Sequence, residues 1–487
     1  MNVGSESDQA VVAARSYQRA RIAHWDRVAQ VLDRWSGLGG FYQRQLAHHY
    51  RLLIPPGLRV LEVGCGQGDL LAALKPSVGV GVDFSAEMVK RASERYPWLH
   101  FVQADAHDLP LDGHFDVIIL SDLVNDLWDV QGVLEQLATL SHPRTRLVLN
   151  TYSRLWEIPL ALAQRLGLSK SNLEQNWLTV EDIGNLFRLT GFETVKHTQE
   201  ILLPLYMPLL SGLANRALVK LWPFSLAALT NFVIARPASL AARTTSAEEP
   251  LVSVIVPARN EAGNIEGIFT RVPEMGQGTE LVFVEGHSED DTYAAIERAM
   301  AKYPKRRCKL FRQTGRGKGD AVRLGFANAS GEILMILDAD LTVPPEDLPR
   351  FYEALVSRKG DFVNGVRLVY PMEHQAMRLL NLIGNKSFSV VFSWLFGQPI
   401  KDTLCGTKAL WRRDYDLVAA NRAYFGDFDP FGDFDLLFGA TKLNLKIVDL
   451  PIRYRERTYG TTNIDRWQHG WLLVRMVVFA ARRIKFV

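Results

Sequence analysis

The sequence is poor in cysteine and carries little net charge. Its 487 residues include three cysteines, Cys65, Cys308 and Cys405, and its formal net charge is +3. The cysteines lie far apart and fit no metal-ligand spacing, which predicts a reducing compartment. A net charge of this size does not favour nucleic acid as a partner.

Long hydrophobic runs are also missing. No stretch of about 20 uninterrupted apolar residues occurs, so the sequence predicts no transmembrane helix. The N-terminus carries Glu6 and Asp8 without an apolar run, so we expect no signal peptide. We therefore expect a cytoplasmic protein, and contact with the inner face of the cell membrane stays open.

Apolar residues are nevertheless abundant enough for sizeable cores. Hydrophobic residues make up 47% and charged residues 22% of the sequence, as in an ordinary globular protein. The length allows two or three domains of roughly 100–200 residues each. Residues 1–50 predict polar helices with a broken apolar stripe, which we expect to cover the domain that follows.

A strand, a glycine-rich turn and the start of a helix follow one another at residues 59–71. Glycines allow a backbone to come close to a ligand at a helix N-terminus. The spacing is Gly-x-Gly-x-Gly, and Glu62 stands at the end of the strand. Because dinucleotide-binding loops have the spacing Gly-x-Gly-x-x-Gly, this pattern disfavours a nicotinamide cofactor. Two more acids, Asp83 and Asp105, follow the next two strand-like segments.

Together these segments resemble class I S-adenosylmethionine-dependent methyltransferases over roughly residues 40–235. The resemblance implies a Rossmann-like α/β domain that binds S-adenosylmethionine. In that family the acid matched by Asp83 holds the ribose hydroxyls, and the acid matched by Asp105 contacts the adenine. A carboxylate that accepts two hydrogen bonds suits a pair of hydroxyls. The cofactor residues implied by the resemblance are Glu62, Gly64, Gly66, Gly68, Asp83, Asp105 and Ala106.

The methyl acceptor is not encoded in one residue, because methyl transfer depends on in-line geometry more than on a strong base. Candidate acceptor contacts are His107, Asn125, Asp126, Tyr152 and Trp156. Residues 201–229 form an apolar segment that is interrupted by prolines and too short to span a bilayer. This segment predicts a lid or interface insertion, or a segment that lies on a membrane face.

Linker-type composition separates two domains. Residues 236–250 combine Pro237, small Ala and Ser residues and a Thr-Thr-Ser run, which is typical of a linker. We therefore predict a first domain over residues 1–236, a linker over residues 237–250 and a second domain over residues 251–487.

In the second domain, an apolar run at residues 331–337 predicts a buried strand of a parallel sheet. It ends in Asp338 and Asp340, separated by one small residue and without a Lys or Arg nearby in the sequence. Ligands of open α/β sheets gather at the carboxyl ends of strands. A hard divalent cation that also binds phosphate oxygens would relieve the repulsion between the two carboxylates.

Three further segments accompany this strand: a strand with a polar end at residues 257–261, a strand ending at Glu285, and a glycine-rich turn around Lys318. The four segments together resemble glycosyltransferase family 2, with its GT-A fold, and above all its polyprenyl-phosphate sugar transferase branch. The resemblance implies Mg²⁺ or Mn²⁺ at Asp338 and Asp340. The residues that it assigns to a nucleotide-diphospho-sugar are Pro257, Ala258, Arg259, Glu261, Glu285, Lys318 and Asp338.

Downstream, Asp433 and Asp435 are the candidates for a catalytic carboxylate, with Asp433 preferred. An inverting transfer to a hydroxyl needs a base opposite the leaving group, whereas a phosphate acceptor is already ionised. Members of the family close an arginine-bearing loop on diphosphate or on an acceptor phosphate. Arg457 matches that loop, together with Arg453 and Arg455.

The sequence thus predicts a bifunctional enzyme: a methyltransferase joined to a metal-dependent inverting glycosyltransferase that acts on a glycan or lipid-phosphate acceptor in surface polysaccharide or glycolipid synthesis. The alternative is a glycosyltransferase alone, whose first domain is a non-catalytic cofactor-binding or scaffolding module. Gly286 stands where the family usually has a second Asp, so the choice between uridine and guanosine stays open. Residues 377–396 and 465–487 suit a membrane surface as well as core packing or a dimer interface.

Overall fold

The computed structural model describes residues 3–31, 39–165, 173, 175–238, 249–367, 379–422, 434–452, 454–455, 457, 459 and 466–487. The chain divides into two compact units, residues 1–243 and residues 244–485. The predicted linker at residues 237–250 lies largely outside the described residues.

The first unit contains one mixed α/β sheet. Its strands are β1 (Arg59–Val63), β2 (Val78–Asp83), β3 (His100–Gln103), β4 (Phe115–Ser121), β5 (Ser141–Tyr152), β6 (Phe192–Glu200) and β7 (Thr230–Pro237). They lie in the order β3-β2-β1-β4-β5-β7-β6. β7 runs antiparallel to both β5 and β6, and the remaining pairs are parallel.

Helices and apolar side chains cover this sheet. The helices are α1 (Val3–Val31), α2 (Gly39–Leu53), α3 (Asp69–Ala73), α4 (Ala86–Arg95), α5 (Val130–Thr139), α6 (Glu157–Arg165), α7 (Val180–Leu189) and α8 (Leu210–Arg216). Successive residues of β4 enter different cores: Ile118 belongs to one apolar cluster, and Val117 and Ile119 belong to another. This alternation is expected of a strand with both faces covered.

The second unit repeats this architecture with another order of strands. Its strands are β8 (Val252–Ala258), β9 (Thr279–Glu285), β10 (Arg307–Arg312), β11 (Ile333–Ile336), β12 (Phe362–Val366), β13 (Lys408–Trp411) and β14 (Ile447–Pro451). They lie in the order β10-β9-β8-β11-β13-β12-β14, with β13 antiparallel to its neighbours. The helices are α9 (Ile265–Arg271), α10 (Thr292–Lys302), α11 (Lys318–Asn328), α12 (Leu348–Val356), α13 (Leu379–Phe396), α14 (Arg412–Ala420), α15 (Phe434–Lys442) and α16 (Arg466–Ala480).

These elements confirm the predicted α/β class with one sheet in each of two units. The strand predicted to end in Asp338 and Asp340 is β11, which is wholly buried. None of the helices that the structure describes combines the length and the apolar character needed to cross a membrane.

Candidate functional sites

The glycine-rich turn of the first unit follows β1 and leads into α3. Its three glycines have positive φ angles, +74° at Gly64, +51° at Gly66 and +77° at Gly68, which side chains other than glycine rarely adopt. A Cβ at Gly64 would lie 2.9 Å from Leu123, and one at Gly68 would lie 2.6 Å from Phe101. A Cβ at Gly66 would meet nothing within 4 Å, so the bare backbone there faces open space.

Asp83 fixes this turn to the end of β2. Its Oδ2 accepts a hydrogen bond from Gly66 N at 2.9 Å, and its Oδ1 accepts one from Ser85 N at 2.9 Å. Burial raises the pKa of Asp83, although the two backbone hydrogen bonds oppose this rise. Each carboxylate oxygen still has a second lone pair, which is available to a donor such as a hydroxyl.

Glu62 is buried at the end of β1, with 2% of its surface exposed. Burial raises its pKa well above the ordinary value, against an opposing backbone hydrogen bond at Leu71. Its Oε2 has no hydrogen-bond partner among the described residues. Because buried polar atoms are normally paired, this atom fits a ligand that brings its own donor.

A cavity of about 340 Å³ opens beside Gly64 and Asp83. Its lining includes four of the seven predicted cofactor residues, Gly64, Asp83, Asp105 and Ala106. Helix α1 contributes Arg15, Tyr17, Gln18 and Arg21 to the same lining, as expected of a helix that covers the domain. The size is that of a small-molecule site.

Asp105 is held within this lining by its neighbours. Its Oδ1 bonds His107 through the backbone N at 2.9 Å and through Nδ1 at 2.6 Å, and Gln18 of α1 donates to its Oδ2. The His107 hydrogen bond lowers the pKa of Asp105, and the same bond raises the pKa of His107. His107 Nε2 also accepts from Asp129 N at 3.1 Å, so this imidazole shapes the cavity wall.

Sequence reasoning missed a polar cluster around Asp122, directly after β4. Asp122 has a φ of +54°, a strained value for a residue other than glycine. Its Oδ1 accepts from Tyr42 Oη at 3.0 Å and from the Asn150 amide, and Tyr50 Oη donates to Asn150 Oδ1 at 2.7 Å. Burial raises the pKa of Asp122 to about 6, against hydrogen bonds from Tyr42, Asn150 and Tyr152. No sequence signal joins residues so far apart.

The predicted acceptor contacts divide between the cavity and the frame around it. Asp126 lies in the cavity lining, and its Oδ1 is 3.8 Å from Arg21 Nη2. Asn125 is fully buried and donates to Asn176 O at 2.7 Å, and Trp156 donates to Ala227 O at 2.9 Å. Tyr152 belongs to the Asp122 cluster, with its ring 6.2 Å from that of Tyr42.

In the second unit, three parallel strands carry predicted residues to the same edge of the sheet. Ala258 of β8 pairs with Glu285 of β9, and Ile336 of β11 pairs with Ile255 of β8, so these strands end side by side. Glu285 is buried and accepts from Ser288 N in the turn that follows. Pro257 is half-buried and Arg259 is exposed at the end of β8.

Asp338 is paired with Lys318. The distance from Lys318 Nζ to Asp338 Oδ1 is 2.6 Å. Burial alone would raise the pKa of Asp338, but the charge and hydrogen bond of Lys318, with the charges of Arg367 and Lys408, hold it below its ordinary value. A Cβ at Gly406 would lie 2.1 Å from Asp338 Oδ2 and 2.2 Å from Lys318 Nζ. The loop that contains Gly406 therefore approaches the pair as closely as a bare backbone can.

Asp340 is held by two different groups. Its Oδ1 accepts from Thr342 N at 3.1 Å and from Thr342 Oγ1 at 2.8 Å. Its Oδ2 accepts from Arg457 Nη2 at 2.7 Å, and Arg457 Nη1 donates to Glu261 Oε1 at 3.0 Å. Burial raises the pKa of Glu261 to about 6, against the opposing charge of Arg457 and the Asn264 hydrogen bond. Arg457 thus joins the ends of β8 and β11.

The tertiary fold supplies cations that are not near Asp338 and Asp340 in the sequence. It brings Lys318 to Asp338 and Arg457 to Asp340. A divalent metal at Asp338 and Asp340 would have to displace or share these cations. In the described part of the chain no group of three or more His, Cys, Asp or Glu side chains could hold a metal, so the residues fit a metal only if phosphate oxygens complete its ligands.

A buried charged network lies next to the pair of Asp338 and Lys318. Asp402 is fully buried and accepts from Arg367 Nε at 2.8 Å and Nη2 at 2.9 Å. Lys408, also fully buried, donates to Asn364 Oδ1 at 3.2 Å and to Cys405 O. These contacts hold the loop of residues 402–408, which contains Gly406, in place.

The remaining predicted residues are placed unequally. Asp433 and Arg453 lie outside the described residues. Asp435 is the second residue of α15, is 7% exposed, and its Oδ2 accepts from Arg422 Nε at 2.9 Å. Arg455 is exposed, and its N donates to Thr342 O at 2.9 Å, which fixes the arginine segment to the loop after Asp340.

Comparisons with known proteins agree with both resemblances. Residues 38–197 match the family described as "Methyltransferase domain", and residues 253–425 match "Glycosyl transferase family 2". A dolichol-phosphate mannosyltransferase of Pyrococcus furiosus is 39% identical over 24% of this chain, which spans 33% of that protein. A dolichyl-phosphate hexose transferase of Haloferax volcanii is 27% identical over 47% of this chain and 92% of its own length.

Among solved structures, a glucosyl-3-phosphoglycerate synthase of Mycobacterium tuberculosis in complex with Mn²⁺ and uridine diphosphate is 19% identical. The likeness covers 50% of this chain and 81% of that one, with a TM-score of 0.36. Over residues 38–197 the chain is thus similar to methyltransferase domains, and over residues 253–425 it is similar to family 2 glycosyltransferases.

Proposed function

We propose that this chain, which joins a methyltransferase domain to a family 2 glycosyltransferase domain, is a bifunctional transferase. Its first domain, over residues 1–236, would transfer a methyl group from S-adenosylmethionine. Its second domain, over residues 251–487, would transfer a sugar from a nucleotide-diphospho-sugar to a polyprenyl phosphate or a related glycan acceptor. The dolichol-phosphate and dolichyl-phosphate relatives support the lipid-phosphate acceptor.

The residues of the first domain fit S-adenosylmethionine. The bare backbone at Gly66 would face its methionine part, and the second lone pairs of Asp83 would accept its ribose hydroxyls. Asp105, oriented by His107, would face its adenine. Bound there, the cofactor supplies an activated methyl group, and the role of the chain is to align the acceptor with it.

The Asp122 cluster is the candidate for the acceptor side of the first domain. Leu123, the next residue, lines the cavity and lies against Gly64, so Asp122 stands next to the cofactor loop. A partly buried carboxylate with a pKa of about 6 is mostly ionised at neutral pH, yet basic enough to accept a proton from an acceptor. The neighbouring Tyr42 and Asn150 side chains hold it in one orientation.

One observation carries the proposal for the second domain. Two carboxylates and two cations, Asp338 with Lys318 and Asp340 with Arg457, meet at the carboxyl ends of β8 and β11, where ligands of such sheets bind. A metal with a diphosphate carries both signs of charge, so the alternating charges fit both parts of that ligand. A bound divalent metal would withdraw charge from the leaving nucleoside diphosphate.

Asp433 and Asp435 remain the proposed candidates for a catalytic carboxylate. The ion pair between Asp435 and Arg422 favours Asp433 for that role, because a base must be available to the acceptor. With a phosphate acceptor, which is already ionised, neither side chain is required as a base. Arg457 would then move from Asp340 to the diphosphate or to the acceptor phosphate when a metal binds.

The test uses the full chain with radiolabelled nucleotide sugars and polyprenyl phosphate, with and without EDTA. We expect sugar transfer that EDTA removes and Mg²⁺ or Mn²⁺ restores. Transfer that is indifferent to EDTA would contradict the metal role of Asp338 and Asp340. Calorimetry with S-adenosylmethionine tests the first domain separately, and saturable binding is expected.

The second candidate function is a glycosyltransferase whose first domain is a scaffold. The contact between Gln18 and Asp105 favours it, since helix α1 occupies one of the groups expected to face the cofactor. Absence of S-adenosylmethionine binding by the intact protein, combined with active sugar transfer, would favour this alternative.

A further inference from the structure

The first unit exposes an unusual number of large apolar side chains between β6 and β7. Leu209 is 93% exposed and Trp222 is 81% exposed. Eight further large apolar side chains of this segment are 41–57% exposed: Leu205, Tyr206, Met207, Leu210, Leu213, Leu221, Phe224 and Leu226. Such side chains are ordinary when scattered singly, but a concentration of them in one segment marks an interaction surface.

Helix α6 and the turn before it extend this surface. Leu155 is 67% exposed and Ile158 is 80% exposed. The two segments are neighbours in space, because Trp156 Nε1 donates to Ala227 O at 2.9 Å. Residues 155–162 and 205–226 are hereafter called the apolar face.

The exposure is not a result of loose structure. Leu229 N donates to Ile201 O at 2.8 Å, which closes the base of the segment. The buried Asn215 side chain bonds both Leu203 N and Leu203 O at 2.8 Å. Val219 is fully buried beneath the segment. The backbone is therefore anchored on its inner side while the apolar side chains point outward.

Leu209 is also held in a left-handed conformation, with a φ of +62°. This conformation is unfavourable for a residue with a branched side chain and persists only where the surroundings impose it. In this strained conformation Leu209, the most exposed leucine of the face, points into solvent. Neither the strain nor the exposure stabilises the isolated unit.

Charge decides which partner fits the apolar face. No Asp or Glu occurs between Glu200 and Glu248, and the two segments of the face contain one acid, Glu157. Arg154, Arg165 and Arg216 are exposed on or beside the face, and Asp182 partly offsets the charge of Arg154. A basic edge around exposed Trp, Phe and Leu side chains is suited to anionic lipid headgroups. A second copy of this face would instead bring like charges together, which disfavours a symmetric dimer.

We infer that the apolar face docks the first unit on an anionic bilayer surface, with Leu209 and Trp222 entering the boundary between headgroups and acyl chains. The docking surface belongs to the methyltransferase domain and not to the sugar-transfer site. The inference needs neither transferase activity to be correct. It would bring the chain to the phase in which a polyprenyl phosphate resides.

The test is flotation of the intact chain with phosphatidylcholine vesicles, with and without phosphatidylglycerol. We expect flotation that requires phosphatidylglycerol, and a loss of about tenfold or more in the bound fraction for Leu209→Ser/Trp222→Ser. The matched control is Leu189→Ser/Trp98→Ser, which removes a leucine and a tryptophan that are 61% and 67% exposed elsewhere on the same unit. The control should float like the wild type.

Four outcomes would overturn the inference. One is an absence of flotation, and another is equal flotation of the two double variants. Trp471, Val474 and Val478 are also exposed, on α16 of the second unit, so the third is flotation lost only in Trp471→Ser, which would assign lipid binding to that helix. The fourth is a wild-type dimer, measured by sedimentation without lipid, that Leu209→Ser/Trp222→Ser converts to monomer, since the face would then be a protein interface.

Discussion

Both units have carboxylates at the ends of parallel strands, but the charged groups around these carboxylates differ. In the first unit, Glu62 and Asp83 are buried, none of the residues that the structure describes places a cation against either carboxylate, and burial raises the pKa of both. In the second unit, Asp338 and Asp340 each contact a cation within 2.7 Å. The first arrangement suits hydroxyl donors and a positively charged sulfonium ligand, whereas the second suits a ligand that itself carries metal and phosphate.

This difference shows that similar sheets do not imply similar sites. The carboxyl ends of the strands determine where a ligand binds. The cations that contact the carboxylates there determine whether the site favours a positively or a negatively charged ligand. The predictions below test this contrast, from the largest expected effect to the smallest.

Removing one negative charge should abolish sugar transfer at the second site without affecting cofactor binding at the first. We expect Asp340→Asn to lower sugar transfer by about 1,000-fold or more, because it removes the proposed metal ligand and the partner of Arg457. Binding of S-adenosylmethionine, measured by calorimetry, should be unchanged. The matched control is Asp416→Asn, an exposed position on α14, and sugar transfer by Asp340→Asn at the control's rate would refute the role of Asp340.

Adding one methyl group at Gly406 should disturb function more than folding. A Cβ there overlaps Asp338 Oδ2 and Lys318 Nζ, so the ends of two side chains must move while the backbone can stay. We expect Gly406→Ala to lower sugar transfer by about 100-fold with a shift in Tm of only a few degrees. In contrast, the methyl group added by Gly66→Ala would meet no atom within 4 Å, but the backbone at residue 66 has a φ of +51°. Because alanine is unfavourable in this left-handed conformation, we expect the free energy of unfolding to fall by about 1–2 kcal/mol. A Gly406→Ala protein with full activity would contradict the close approach.

Truncating Asp83 should weaken the first site alone. Asp83→Ala removes the acceptor of the Gly66 N and Ser85 N hydrogen bonds and the proposed partner of the ribose. We expect the Kd for S-adenosylmethionine to rise by about 10- to 100-fold, as hydrogen bonds to a charged group contribute about 1.5–3 kcal/mol. Sugar transfer should persist. An unchanged Kd in a protein of normal Tm would show that Asp83 does not face the cofactor.

The smallest effect concerns pH. Glu261 has a folded pKa of about 6 against an ordinary 4.5, so the unfolded chain loses this proton first as the pH rises. The free energy of unfolding should therefore fall by up to about 2 kcal/mol between about pH 4.5 and pH 6. Glu261→Gln should remove that slope in urea denaturation series. A slope retained in the variant would assign the pH dependence to other groups, such as Asp122 in the first unit.

Much of the fold was predictable because its signals are local. The run from Arg59 to Val63 became β1, and the turn after it adopted the positive φ angles that its glycines allow. Helix α7 begins with a capping box of the local Thr-x-x-Asp type, with Thr179 Oγ1 accepting from Asp182 N and Asp182 Oδ2 accepting from Thr179 N. Each of these features depends on residues within a few positions of one another.

The partners within the sites were not predictable, because they depend on the tertiary fold. Arg457 is 117 residues from Asp340 and 196 from Glu261, and no periodicity or spacing links them. Tyr42 is 80 residues from Asp122, which carries no motif of its own. Sequence therefore indicated the acids at the strand ends, while the fold supplied the groups that set their charge.

The scarcity of thiols has a practical consequence. Of the three cysteines, Cys65 lies inside the glycine turn of the first unit and Cys405 lies beside Gly406 in the second. Both are buried, and burial raises the pKa of each, to about 12 for Cys405, so neither should react while its loop is closed. The rates at which a maleimide alkylates Cys65 and Cys405, measured by peptide mass spectrometry, would therefore report the transient opening of each loop separately in the wild-type chain.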